Sequence, residues 1–160
     1  MPTALNPSEL LIKVMTYSIR PYSEDDFPIL IQLFKEFAKF QKMPNAVSNN
    51  VELMRIEKDY FFCFIAENQE KEIIGYASFF FTYHTWSGKS VYMDDLYVKP
   101  DYRKVGIGKA FIDAIIEVGK DSGCKKLQWQ VSNWNLNAKE FYQKIGAVID
   151  DTEVNCTLKL

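Results

Sequence analysis

Three groups of residues have types and spacings suited to chemistry. Arg103, two residues, then Gly106-Ile107-Gly108 follow a strand-like run and open a helical pattern. Glycine is a poor helix former, so two in a first turn point to close approach of something to the backbone, often an anion. Asp94 and Asp95 stand side by side in "SVYMDDLYV". Carboxylates there can attract a cation or act as a general base, or be solvated edge groups. Tyr142, in "KEFYQKIGA", is either a core tyrosine or a buried proton donor.

The glycine segment decides between three phosphate loops. A Walker-type loop needs an earlier glycine where Arg103 stands and a hydroxyl where Ala110 stands. A dinucleotide fingerprint needs a third glycine where Phe111 stands, within a βαβ unit. Arg-x-x-Gly-x-Gly remains. Its backbone N–H groups, over Lys104, Val105, Gly106, Ile107, Gly108 and Lys109, can cradle a pyrophosphate, aided by the helix dipole and by Arg103. Close helix-to-sheet packing without a ligand explains the same glycines equally well.

The surrounding elements follow from periodicity. Tyr17 to Pro21 reads as a strand; Ser23 and Asp26 are spaced as a capping box, and Phe27, Leu30, Ile31, Phe34 and Ala38 then recur at helical spacing to about Phe40. Asn50 begins a short helix over Val51 to Ile56. Tyr60–Glu67, Ile73–Tyr83 with a bulge at Gly75, and Ser90–Val98 form an antiparallel meander. Ile107 to Val118 is an amphipathic helix, Leu127 to Val131 a half-buried strand, and Ala138 to Ile145 a helix closed by Gly146. "EVNCTLKL" is expected to form a last strand. Asp94 and Asp95, as strand neighbours, are expected to point to opposite faces.

With 160 residues, one domain is expected over 17–160, preceded by an extension at 1–16. The first twenty residues lack the apolar segment and cleavage pattern of a signal peptide. A net charge of −2, with both signs interspersed, argues against nucleic acid and against a basic membrane surface, and permits a cationic ligand. No apolar run approaches the length of a bilayer span. Three cysteines without metal-ligand spacing and a lone histidine, His84, imply no metal and suit a reducing cytoplasm. His84 is read as an exposed loop residue or an acceptor contact, and Trp86 as a ligand platform or a core plug.

Arg103-x-x-Gly106-x-Gly108 resembles the pyrophosphate loop of the GNAT-type N-acetyltransferases, and "NWNLNAKEFYQKIGA" (133–147) is similar to their second CoA-binding motif. "FFFTYHTWSGKSVYMDDLYVKPDYRKVGIG" resembles the spermidine/spermine acetyltransferase subgroup with its diamine and thialysine-type relatives. The resemblance spans roughly residues 17 to 148. It implies an α/β (α+β) domain whose mixed, mostly antiparallel sheet has splayed parallel central strands flanked by helices. It also implies acetyl-CoA as cosubstrate, no metal, a small amine as substrate and a homodimer.

On this resemblance Tyr142 is the general acid facing the CoA sulfur, and Asp94 takes the place of a glutamate that meets the amine. Backbone amides of Leu96, Tyr97 and Val98 would hold the thioester carbonyl, and Asn135 and Ala138 would lie along CoA. Asn135 is alternatively only a helix cap. Phe40, Gln41, Tyr83, Trp86 and Gln128 join Asp94 on the expected acceptor side. Gln41 departs from the polyamine enzymes, which carry an acidic residue there, so a lysine-like or diamine acceptor is as compatible as spermidine. An antibiotic or peptide amine, or a CoA-binding module without catalysis, are the alternatives. The chemistry is demanding: a lysine-like amine with a pKa near 10.4 must first lose a proton, costing about 4.6 kcal/mol at pH 7.

Overall fold

The start of the first helix is fixed by short-range hydrogen bonds. Asp26 Oδ2 accepts from the Ser23 N–H at 2.7 Å, closing the expected box around a short 3-10 turn (Glu24–Asp26). Helix α1 (Phe27–Phe40) follows, with Pro28 in its first turn, where its missing N–H costs nothing. Arg20, on strand β1 (Tyr17–Pro21), pairs with Asp26 at 2.8 Å and with Glu67 at 2.7 Å. Both carboxyls are held below their ordinary range, with the Arg20 bonds as the largest cause. Asn50 caps α2 (Val51–Ile56) by accepting from the Leu53 N–H at 2.9 Å. The computed structural model describes residues 16–159, so the expected extension lies outside the described residues except for Thr16.

The remaining elements are β2 (Phe62–Asn68), β3 (Ile73–His84), β4 (Gly88–Val98), α3 (Ile107–Asp121), β5 (Leu127–Gln128) and α4 (Leu136–Lys144). Tyr60 falls in a 3-10 turn rather than in β2. The five strands lie in chain order, β1 to β4 antiparallel and β5 parallel to β4 after the α3 crossover. The sheet carries a separate core on each face. Phe27, Leu30, Leu33, Ile65, Tyr76 and Tyr97 pack with α1 and α2. Ala77, Phe79, Met93, Ile107, Phe111, Ile115 and Tyr142 pack with α3 and α4.

One expected strand is shortened and another is absent among the described residues. The β4–β5 ladder holds only Val91 opposite Leu127 and Tyr92 opposite Gln128. Beyond that the two strands part, so 129–131 have no ladder, although Leu127, Trp129 and Val131 still pack on the core. Residues 153–159 form no strand, and Val154 and Leu158 are exposed. An alternating segment needs an edge to pair with, and β5 offers only two residues. Among the described residues β5 is therefore one edge of the sheet, with β1 at the other.

The bulge expected at Gly75 is present. The β2–β3 register slips between Ala66 opposite Gly75 and Glu67 opposite Ile73, leaving Ile74 as the extra residue. A Cβ on Gly75 would stand 2.7 Å from the Tyr97 carbonyl oxygen, which is backbone and cannot yield easily. Gly75→Ala is expected to lower stability by about 1–3 kcal/mol in urea unfolding, as overpacking does. An unchanged midpoint would show that β4 can shift.

Candidate active site

Strand β4 carries a second bulge, and it reorganises the two aspartates. Ser78 stands opposite Asp95 and Phe79 opposite Met93, which leaves Asp94 as the extra residue. Val91 and Met93 belong to the α3-side core. After the bulge that face is occupied by Leu96 and Val98, while Tyr97 faces α1. Asp94 and Asp95 therefore both turn toward the α1 side. The expectation of opposite faces, which assumed unbroken alternation, is corrected by the inserted residue.

The pair is electrostatically unequal. Tyr76, fully buried, donates its hydroxyl to Asp95 Oδ2 at 2.7 Å. Burial pushes the Asp95 carboxyl up to about 6, with the neighbouring Asp94 charge adding and the Tyr76 bond opposing. Asp94 stays open to solvent, and its surroundings still desolvate its carboxyl enough to raise it. The Asp95 N–H donates to Ser78 Oγ at 3.2 Å, so a side chain replaces the ladder bond at the bulge.

The parting of β4 and β5 leaves one edge of β4 unpaired from Met93 to Val98 among the described residues. Alternate amides of an antiparallel strand point away from its partner, so the stretch Leu96-Tyr97-Val98 offers donors into this opening. Gln128 is the last paired residue of β5, at the point where the opening begins.

The glycine segment lies just beyond the end of β4, after a 3-10 turn (Pro100–Tyr102). Lys104 and Gly106 both have left-handed backbone, φ 63° and 94°. The amides of 104 to 109 have no backbone acceptor among the described residues; the first helical bond of α3 runs from the Ala110 N–H to the Gly106 carbonyl. Gly106 is required by its φ. Gly108 is not required by packing, since a Cβ there would meet Phe141 at 3.6 Å, an ordinary contact. Close helix-to-sheet packing thus fails to explain the second glycine. Free amides, a helix N-terminus and a clear approach fit a pyrophosphate. Ile107 is buried and anchors the turn, while Lys104, Val105 and Lys109 are exposed, Lys109 pairing with Asp113 at 2.6 Å.

Tyr142 is 8% exposed and packs edge-on to Trp129 with ring centroids 5.0 Å apart. Its hydroxyl has no hydrogen-bond partner among the described side chains, and burial raises its pKa to about 12. It is a neutral donor at any ordinary pH. Asn135 caps α4, accepting from the Ala138 N–H at 3.1 Å. Arg103 donates from Nε to the Val98 carbonyl at 2.7 Å and lies over Phe40 at 4.9 Å. Gln41 accepts from Ser132 Oγ at 2.8 Å, tying the end of α1 to the segment after β5.

Two expected acceptor residues stand apart in this chain. Tyr83 and Trp86 lie at the β3–β4 hairpin, 77% and 100% exposed, so Trp86 is no core plug. Tyr83 pairs with Lys89, five positions before Asp94, roughly 17 Å along the strand. His84 Nε2 is buried without a partner rather than solvated. Sequence patterning did not point to Tyr76 or Ser132, which come from another strand or loop and leave no local signal, and it reads Trp134 as structural, where the ring packs on Phe40.

The Acetyltransferase (GNAT) family model matches residues 20–147. The thialysine N-epsilon-acetyltransferase of Bos taurus is 34% identical over 140 residues, covering 81% of this chain and 82% of that protein. The spermidine/spermine N(1)-acetyltransferase-like protein 1 of Homo sapiens is 28% identical over 82% of this chain, which spans 20% of that protein. Among solved structures, a predicted acetyltransferase with acetyl-CoA from Clostridium acetobutylicum superposes with a TM-score of 0.74 at 20% identity, over 89% of this chain and 96% of that one. With the five-stranded mixed sheet, its parted β4–β5 edge and the glycine turn at the head of α3, the chain belongs to the GNAT family of acetyltransferases.

Proposed function

We propose that the enzyme moves acetyl from acetyl-CoA to the primary amine of a small lysine-like, diamine or polyamine acceptor, by direct transfer in a ternary complex. The observation that carries this reading is the bulge that turns Asp94 and Asp95 to one face beside the open edge of β4. Two adjacent carboxylates favour a cationic chain over a neutral nucleophile. The resemblance to thialysine and spermidine/spermine enzymes supports the same class.

The residues divide the work. The free amides of 104 to 109 hold the pyrophosphate, and Leu96 to Val98 align the thioester carbonyl and stabilise negative charge on its oxygen. Asn135 and Ala138 flank the cosubstrate at the head of α4. Asp94 binds the ammonium and passes its proton to water, and Asp95 adds a second negative charge behind it. The neutral amine nitrogen attacks the carbonyl carbon, the adduct passes the second amine proton to the same water, the C–S bond breaks, and the sulfur leaves with the bonding pair. Tyr142 donates a hydrogen bond to that sulfur. From a hydroxyl raised to about 12, full proton transfer to a thiolate of pKa near 8.5 is uphill by about 3 to 4 units, so stabilising charge is its main contribution.

The working form is a cytoplasmic homodimer. Free Cys63, Cys124 and Cys156 suit a reducing compartment, and the bare aromatics at the hairpin, Tyr83 and Trp86, are surfaces a second copy would cover. Among the described residues no helix is long and apolar enough to cross a membrane, and no cluster could hold a metal.

The test is thiol release from acetyl-CoA with thialysine, putrescine, spermidine, an aminoglycoside or a lysine peptide. Release should require one of the first three, and release only with the aminoglycoside or peptide would contradict the acceptor class. Tyr142→Phe should bind acetyl-CoA normally and turn over about 10²–10³-fold more slowly, as when one donor to developing charge is lost; full turnover would remove its role. In a pH profile, log kcat/KM should steepen from a slope of about one to about two below about pH 6, as Asp95 takes up a proton. Tyr76→Phe removes a bond that favours the charged carboxylate, so the break should move to higher pH. A profile unchanged by Tyr76→Phe would separate Asp95 from the reaction.

A further inference from the structure

The Arg103 side chain is engaged with groups outside its own loop. Its Nε–H donates to the Val98 carbonyl at 2.7 Å, and its guanidinium lies over Phe40 at 4.9 Å and over Tyr97 at 5.7 Å. Tyr97 donates its hydroxyl to Glu36 Oε2 on α1 at 3.2 Å. Phe40, the last residue of α1, packs on Trp134 with ring centroids 5.7 Å apart. Lys42 Nζ covers the Trp134 ring at 4.3 Å, and the Gln41–Ser132 bond lies alongside. A continuous chain of contacts thus runs from the end of β4, through Arg103, to the end of α1 and the segment before α4.

We propose that Arg103 is a positioning residue for the acceptor side, holding the Phe40–Trp134 wall against the end of β4, and not a ligand of the pyrophosphate. The inference rests on the reading above, that an amine is acetylated beside this wall. The geometry explains why arginine suits the position. A flat guanidinium can stack face-on against an aromatic ring while its Nε–H bonds in the same plane to a carbonyl, and a tetrahedral ammonium has no flat face to stack. The phosphates need no side chain, since the amides of 104 to 109 are free to meet them.

The two roles separate experimentally. Acetyl-CoA and S-acetylpantetheine carry the same thioester, but only the first has a pyrophosphate. Arg103→Ala and Arg103→Lys are assayed with both donors and thialysine, and CoA affinity is measured by calorimetry. Positioning predicts that both variants raise the amine KM about tenfold with either donor, at CoA affinity within about twofold of the parent. Phe40→Leu should act in the same direction and add little to Arg103→Ala, because the two residues share one contact. A phosphate ligand predicts the reverse, and that result would overturn the proposal: CoA affinity falls about tenfold in Arg103→Ala and recovers in Arg103→Lys, with S-acetylpantetheine kinetics unchanged. Should the parent bind CoA yet acetylate no amine, the functional reading fails by itself. Hydrogen exchange at residues 37–43 then decides the matter, faster exchange in both variants at unchanged CoA affinity supporting the tether and unchanged exchange refuting it.

Discussion

One inserted residue, Asp94, sets the geometry on which the site depends. A regular β4 would carry the face of Val91 and Met93 on through Asp95, driving a carboxylate into the α3-side core beside Phe79 and Phe111. The bulge shifts the phase, so Leu96 and Val98 fill that core and Asp95 turns to Tyr76. A bulge also bends and twists its strand. The β4–β5 ladder ends at Tyr92, two residues before the insertion, and from there β4 leaves β5 and exposes backbone donors. Charge placement and the opened sheet edge thus have a common origin.

Around this point the protein separates its charges. The acidic pair lies partway along β4, while the free amides lie beyond its C-terminal end at the head of α3. A net charge of −2 gives no overall attraction for an anion, whereas the helix dipole and the unpaired N–H groups of 104 to 109 offer one locally. Between the two lies the unpaired edge of β4. An anionic donor and a cationic acceptor would therefore approach from different directions and meet where the backbone is open.

The sequence made the local structure readable and left the long-range contacts hidden. Ser23, Asp26 and Asn50 mark helix starts because capping acts within three residues, and both helices begin there. Gly75 betrayed its bulge by being glycine. The bulge at Asp94 left no such mark, since aspartate fits a regular strand, and the period-2 rule put its neighbour on the wrong face. The Tyr76–Asp95 and Ser132–Gln41 bonds join residues 19 and 91 positions apart and could not be read locally. "EVNCTLKL" alternates as a strand should, but pairing needs an edge, and β5 is too short to provide one. For the glycine loop, the packing explanation lost its hold once Gly108 proved to have room for a methyl group.

The central claim is that donor and amine are held together on the face shaped by the β4 bulge. Calorimetry with a bisubstrate adduct, CoA joined through an acetyl bridge to the thialysine amine, measures this directly. The adduct should bind at least about a hundredfold more tightly than CoA, because its second half engages without a further association step. That advantage should disappear when Asp94 and Asp95 are both replaced by alanine, with CoA affinity retained. Equal affinity for adduct and CoA in the parent enzyme would contradict the account, since the amine would then have no site beside Asp94.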